Sequence, residues 1–240
     1  MQTALLTAFD KVTGRTKPSW EKLMGLFRAI GADDLPTVQK FVSRYGIHQT
    51  TDTIDNCNAL MRAAGGGKAG ILKYLLAQGS PVDAVNKDGG TAFACAIENN
   101  HVDCARILMD AGAEIDPRGR TCDWRLLHSA VGFDRYDSFM FLLEQGVEID
   151  SRNENGVTPL MHAVRNHRTG RRYVEKLLAV GADMDLRDDD GRSAYRDAQH
   201  YGMTDIVELM RKQRKDGMHV GIKKPITVLK PLRFKQTAPL

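Results

Sequence analysis

The apolar positions of this chain fall into pairs of short segments with helical period. Residues 155–188 read NGVTPLMHAVRNHRTGRRYVEKLLAVGADMDLRD. A turn at Asn155-Gly156 leads into Thr158-Pro159-Leu160. The threonine stands where a helix needs an N-cap, with a hydroxyl that accepts from a free backbone N–H. The proline takes the first helical position, where its missing N–H costs nothing. Gly181 follows the second apolar segment, where a left-handed residue closes a helix. The stretch is therefore one helix–turn–helix unit with a polar loop at each end.

The unit recurs. The Leu160 position is filled in turn by Leu60, Phe93, Leu127, Leu160 and Tyr195, at spacings of 33, 34, 33 and 35. The closing glycine appears as Gly46, Gly79, Gly112, Gly146 and Gly181, at spacings of 33, 33, 34 and 35. A period near 33 with a T-P-L-H-x-A start is the signature of ankyrin repeats. The chain resembles the ankyrin-repeat family over roughly residues 20–212. That resemblance implies an all-α solenoid of about six helix-turn-helix repeats. It also implies protein binding through a surface that differs from member to member.

The organisation read from these markers is a leader at 1–18, a repeat domain at 19–215 and a basic, extended C-terminal tail at 216–240. The repeats run at about 19–50, 51–86, 87–119, 120–153, 154–188 and 189–215. The first lacks the TPLH start, as a terminal repeat facing water on one side can; its helices are expected at Trp20–Ile30 and Leu35–Tyr45. The fourth keeps Leu127-His128-Ser129-Ala130 but has Arg125-Leu126 for Thr-Pro and one extra residue in its leading loop. The fifth carries two extra residues in the turn NHRTGRR between its helices. In the second, AAGGGKAG has a phosphate-loop look. That motif needs G-x4-G-K-S/T after a strand. Arg62 replaces its first glycine and Ala69 its Ser/Thr, so the run is read as a turn between paired helices.

Composition narrows the chemistry. A hydrophobic content of 42% with 27% charged residues is that of a soluble globular protein. No apolar run reaches the 18 residues that a membrane span needs, and ALLTAF is too short for a signal-peptide core. Cys57, Cys95, Cys104 and Cys122 are read as reduced thiols, which suits a cytoplasmic location. No C-x2-C or H-x3-H pair is present, so no metal site is expected. HExxH, GxSxG and kinase motifs are absent. Neither catalysis nor a cofactor is expected.

The net charge of +4 is unevenly spread. Residues 211–240 hold nine basic residues and one acid, Asp216, so the repeat body is mildly acidic. Three surfaces follow as partner candidates. Stacking is expected to leave a concave face of loop tips and exposed first-helix sides, spared core duty, whose tips supply Arg118, Arg120, Arg152 and Arg187, with Trp124 beside the longest tip; Arg and Trp dominate protein interfaces. The turn of the fifth repeat supplies Arg165, His167, Arg168, Arg171 and Arg172, a cluster able to meet an acidic protein, a phosphate or nucleic acid. The tail supplies Lys223, Lys224, Lys230, Arg233 and Lys235 between apolar residues, for a protein, nucleic acid or an acidic surface. His128 and His162, on first helices, are expected to serve the structure. A chain ending at Lys215 is predicted to stay folded while partner binding weakens; circular dichroism against temperature checks the first part, and unfolding would show that the tail belongs to the fold.

Overall fold

The computed structural model describes residues 18–47, 57–115, 125–166 and 170–215. Every regular element among them is an α-helix. The chain divides into two compact units after Ser138. The first contains α1 (Trp20–Gly31), α2 (Leu35–Tyr45), α3 (Ala59–Gly65), α4 (Ala69–Ala77), α5 (Ala92–Glu98), α6 (Val102–Asp110) and α7 (Leu126–Gly132). The division falls inside α8 (Tyr136–Glu144). The second unit continues with α9 (Pro159–Arg165), α10 (Gly170–Ala179), α11 (Ala194–His200) and α12 (Thr204–Lys215). The first two helices start at the expected residues, Trp20 and Leu35.

From α3 onward the first helix of each hairpin has seven residues. An isolated helix that short is not stable in water. In four of the five its start is held by a side-chain cap: Asn58 Oδ1, Thr91 Oγ1, Thr158 Oγ1 and Ser193 Oγ accept from the N–H groups of Met61, Ala94, Met161 and Arg196 at 2.8, 3.2, 3.3 and 3.3 Å, whereas α7, preceded by Arg125, has no such bond. The rest of its stability comes from neighbours. In the first unit α1, α3, α5 and α7 pack each on the next, α2, α4 and α6 do the same, and α1, α3 and α5 also pack on their own hairpin partners. In the second unit α9 packs on α10 and α11, and α12 on α10 and α11. The layers meet over Leu60, Ile71, Leu72, Phe93, Ile97 and Leu108 in one unit and over Leu160, Val164, Tyr173, Leu177 and Met210 in the other, all buried. Each such side chain contributes roughly 1.5–3 kcal/mol.

The turns inside the hairpins repeat to the residue. Asp33, Gly67, Asn100, Asp134 and Gly202 all take left-handed φ values between 59° and 68°. The N–H of the following residue then bonds back to a helix carbonyl: Asp34 to Ala29, Lys68 to Ala63, His101 to Ala96, Arg135 to Ala130 and Met203 to Ala198, at 2.8–2.9 Å. The glycine-rich run of the second repeat is such a turn, with Gly67 left-handed and α4 beginning at Ala69. Asn100 adds a second bond: its Oδ1 accepts from Ser138 N–H and its amide donates to Asp137, tying the turn of the third repeat to the start of α8.

The fifth repeat is built differently. Around its longer turn, Gly170 N–H bonds to Asn166 O at 2.8 Å. A Cβ on Gly170 would run into the carbonyl of Ala163. Small alanines thus line the turn side of each hairpin: Ala63, Ala96, Ala130, Ala163 and Ala198 are all fully buried. Loops are joined across repeats too. Asp83 Oδ1 accepts from Glu114 N–H and Asp150 Oδ1 from Asp183 N–H, both at 3.0 Å. Burial pushes the Asp150 carboxyl above its usual value, outweighing the Asp183 N–H; the Asp183 and Glu148 charges push the same way.

Two predictions follow from this packing. Gly170→Ala is expected to lower stability by about 1–3 kcal/mol through overpacking. Gly70→Ala, with open space around its Cβ on α4, is expected to raise stability by roughly 0.5–1 kcal/mol; denaturant midpoints compare the two. A raised folded carboxyl disfavours the charged form, so Asp150 opposes folding above its folded pKa. Asp150→Asn keeps the acceptor without the charge. It should raise the melting temperature at pH 7, and the gain should fade as pH falls through the raised folded value and be gone by the ordinary carboxylate range.

Candidate functional site

The loop tips are built to one plan. Asn86, Asn153 and Asp188 stand at equivalent places in three repeats. Each donates its backbone N–H across the tip, to the carbonyls of Gly90, Val157 and Arg192, at 2.9–3.0 Å. Each side chain accepts from two more N–H groups: Asp88 and Gly90 onto Asn86, Asn155 and Val157 onto Asn153, Asp190 and Arg192 onto Asp188. Asn and Asp suit this position because their short side chains copy a backbone turn. The third tip residue must then be left-handed, and Gly89, Gly156 and Gly191 are so, with φ of 72°, 71° and 73°. A partner would meet tips that are already ordered.

The tips of the fifth and sixth repeats are also linked to each other. Arg152 Nη2 donates to the carbonyl of Arg187 at 2.6 Å and lies 3.6 Å from the Asp189 carboxylate. Asp189 N–H bonds to Asn155 O at 3.1 Å. A Cβ on Gly156 would meet both Arg152 and Asp189 at 2.5 Å, so the glycine permits the close approach as well as the turn. The Arg187 guanidinium reaches the Gly191 carbonyl at 3.4 Å. Arg152 and Arg187 are thus brought together on one pair of tips. Arg118, Arg120 and Trp124 lie outside the described residues.

The basic turn of the fifth repeat is dispersed rather than gathered. Arg165 donates from Nη2 to Asp188 and from Nε to Asp197, both at 2.6 Å. Both carboxylates are buried: the side chain of Asp188 is 2% exposed and that of Asp197 5%. Asp188 occupies the tip position that is Asn86 and Asn153 elsewhere, so its charge is the novelty that Arg165 answers. Burial pushes the Asp188 carboxyl up, but the Arg165 bond, the Arg192 N–H and the charges of both arginines outweigh it and hold the carboxyl below its usual value. Burial works against the Arg165 charge as well, and its two carboxylates more than restore it. Arg171 pairs with Glu175 at 2.8 Å and with Asp205 of α12. Arg172 lies over the ring of Tyr173, its guanidinium 5.2 Å from the centroid. His167 and Arg168 fall outside the described residues, as do Lys223, Lys224, Lys230, Arg233 and Lys235.

The opposite side of the first unit carries an open groove over the inter-helix turns, lined by Gly67, Ala69, His101, Asp103, Cys104 and Asp137, with a volume of about 370 Å³. His101 packs on Gly67, where a Cβ would come within 2.7 Å of the imidazole. Among the described residues no three His, Cys, Asp or Glu side chains gather as metal ligands. No helix among them is long and apolar enough to cross a membrane. His128 is fully buried on α7.

Reasoning on sequence missed the Arg165 network. A signal was present: Asn86, Asn153 and Asp188 follow one another at spacings of 67 and 35, and an acid in that place needs a counter-charge.

Comparison with known proteins agrees with this architecture. A family profile described as ankyrin repeats (3 copies) matches residues 26–119 and 123–223. The B-cell lymphoma 3 protein homolog of Mus musculus is 29% identical over 157 residues, covering 64% of this chain and 34% of that protein. The human neurogenic locus notch homolog protein 2 is 35% identical over 131 residues, covering 52% of this chain and 5% of that protein. The chain therefore spans about a third, or much less, of these relatives. Among solved structures, a chain from the complex of a Bdellovibrio bacteriovorus predatory endopeptidase with an immunity protein aligns with a TM-score of 0.66 at 26% identity, over 78% of this chain and 97% of that one. The ankyrin repeat domain of Bcl-3 aligns with a TM-score of 0.64 at 26% identity, over 78% and 84%. With capped seven-residue helices, repeated tips and a family match over most of its length, this chain belongs to the ankyrin-repeat family.

Proposed function

We propose that this chain is a non-enzymatic protein-binding module, an adaptor, inhibitor or decoy, that grips a protein partner with its loop tips. The observation that carries the reading is the repeated tip geometry at Asn86, Asn153 and Asp188. Tips ordered by their own backbone lose little entropy on association, and they present Lys87, Arg152, Arg187 and Asp189 without core duty. The alignment with a chain from an endopeptidase–immunity protein complex supports a role in holding another protein. Arg118, Arg120 and Trp124 are proposed as the centre of the contact, and Arg152 and Arg187 as further contact residues. Cys57, Cys95 and Cys104 are not joined in disulfides, which suits a cytoplasmic setting.

A second reading is binding to nucleic acid or another anionic surface, through Lys223, Lys224, Lys230, Arg233 and Lys235 with Arg168, Arg171 and Arg172. The concentration of nine basic residues in 211–240 favours it. The ion pairs of Arg171 weaken the part that uses the fifth repeat.

The test is affinity capture from the native cell with the wild-type chain and with Trp124, Arg118 and Arg120 all changed to Ala. A captured protein should bind the variant about 10- to 100-fold more weakly at unchanged melting temperature, as loss of interface anchors implies. Lost stability with capture unchanged overturns the site. Binding that falls steeply with salt, with no discrete protein captured, supports the second reading instead.

A further inference from the structure

The junction between the fifth and sixth repeats is held unlike the others described. Elsewhere the first helices meet through large apolar residues: α5 buries Phe93 and Ile97, and α9 buries Leu160, Met161 and Val164. On α11 the buried residues are Ala194, Ala198 and the charged Asp197. Two alanines offer little apolar area. In their place stands Arg165, whose guanidinium bridges Asp188 and Asp197 at 2.6 Å each.

No other repeat has Asp at the 188 or 197 position or Arg at the 165 position, although the Asp197 position is Arg62 in the second repeat and His162 in the fifth, and the Arg165 position is Glu98 in the third. The Asp188 position, last in the fifth repeat, is Asn at the end of the second and fourth repeats (Asn86, Asn153). The Asp197 position is Cys95 in the third repeat and Ser129 in the fourth. The Arg165 position is Gly65 in the second and Gly132 in the fourth.

We propose that the sixth repeat is a charge-locked cap. Arg165 of the fifth repeat, bonded to Asp188 at the tip that leads into the sixth and to Asp197 on α11, fixes the docking of the last hairpin, and that hairpin opens as one unit, ahead of the fifth repeat, when the lock is broken.

The electrostatics support a lock. The oxygens of Asp188 are committed, one to Arg165 and the other to the Asp190 and Arg192 N–H groups. Arg192 Nε stands 3.5 Å from Asp188 and adds the second positive charge that two carboxylates need. Charges on the neighbouring elements are engaged elsewhere: Arg171 of α10 with Glu175 and Asp205, Arg214 of α12 with Asp185, and Asp190 with Arg192. The pairs from Arg171 and Arg214 also tie the last hairpin down, but they are about half exposed. Exposed pairs contribute little, whereas a buried pair stripped of one partner is strongly destabilising. Removing Arg165 would strand two buried carboxylates. Opening the cap would also part Arg152 from the Arg187 carbonyl and Asp189 from Asn155, taking apart the paired tips. The lock rests on the geometry of this junction and does not need the protein-binding reading.

The test is native-state hydrogen exchange on the full chain. In the wild type, amides of α11 and α12 should share one opening isotherm below that of α9 and α10. A single isotherm for all four helices overturns the proposal. Arg165→Met should cut protection in α11 and α12 about a hundredfold or more, while α9 and α10 change by only about threefold or less. Combining it with Asp188→Asn and Asp197→Ser, residue types the other repeats use there, should recover most of that protection. A triple variant no better than the single one, or equal losses in α9 and α10, overturns the lock.

Discussion

Stacking is the constraint on which everything else rests. Seven-residue helices cannot persist alone, and one hairpin cannot bury its own apolar face. Each hairpin therefore borrows a wall from its neighbour. Within each unit the first helices pack on first helices and second on second. This arrangement explains why fully buried alanines recur at one place in five repeats. A larger side chain there would hold the hairpin partners apart.

Close stacking leaves backbone polar groups that must be satisfied locally, because an unpaired buried N–H or C=O is costly. The protein meets this need with two devices. Left-handed residues turn the chain between helices and send an N–H back to an alanine carbonyl. Asn or Asp side chains gather the N–H groups of the loop tips. Non-glycine residues at three of the left-handed turns carry some strain. Asn100 offsets it by bonding to the next repeat through both ends of its amide.

The same economy governs the charged residues. Arg165, Arg171, Arg152 and Arg214 look available in the sequence, yet each is bonded within the second unit. What remains for a partner is less a field of free positive charge than a set of ordered tips. If the tips bind a partner as proposed, shape and prior order would matter more there than net charge. Long-range attraction, where it operates, is left to the basic residues after Arg211.

The repeat period, the helix starts and the family were legible in the sequence. They depend on local rules: the N-cap at Thr158, Pro159 in the first turn and Gly181 in a left-handed closing turn, with φ of 92°. Such rules act within a few residues and leave a mark at every repeat. The fates of Arg165 and Asp188 were decided 23 residues apart in sequence and 2.6 Å apart in space. No local pattern encodes that meeting, because it exists only once the fifth and sixth hairpins are stacked. Which arginines are spent on the fold, and which are left to meet another molecule, is a property of the packed chain.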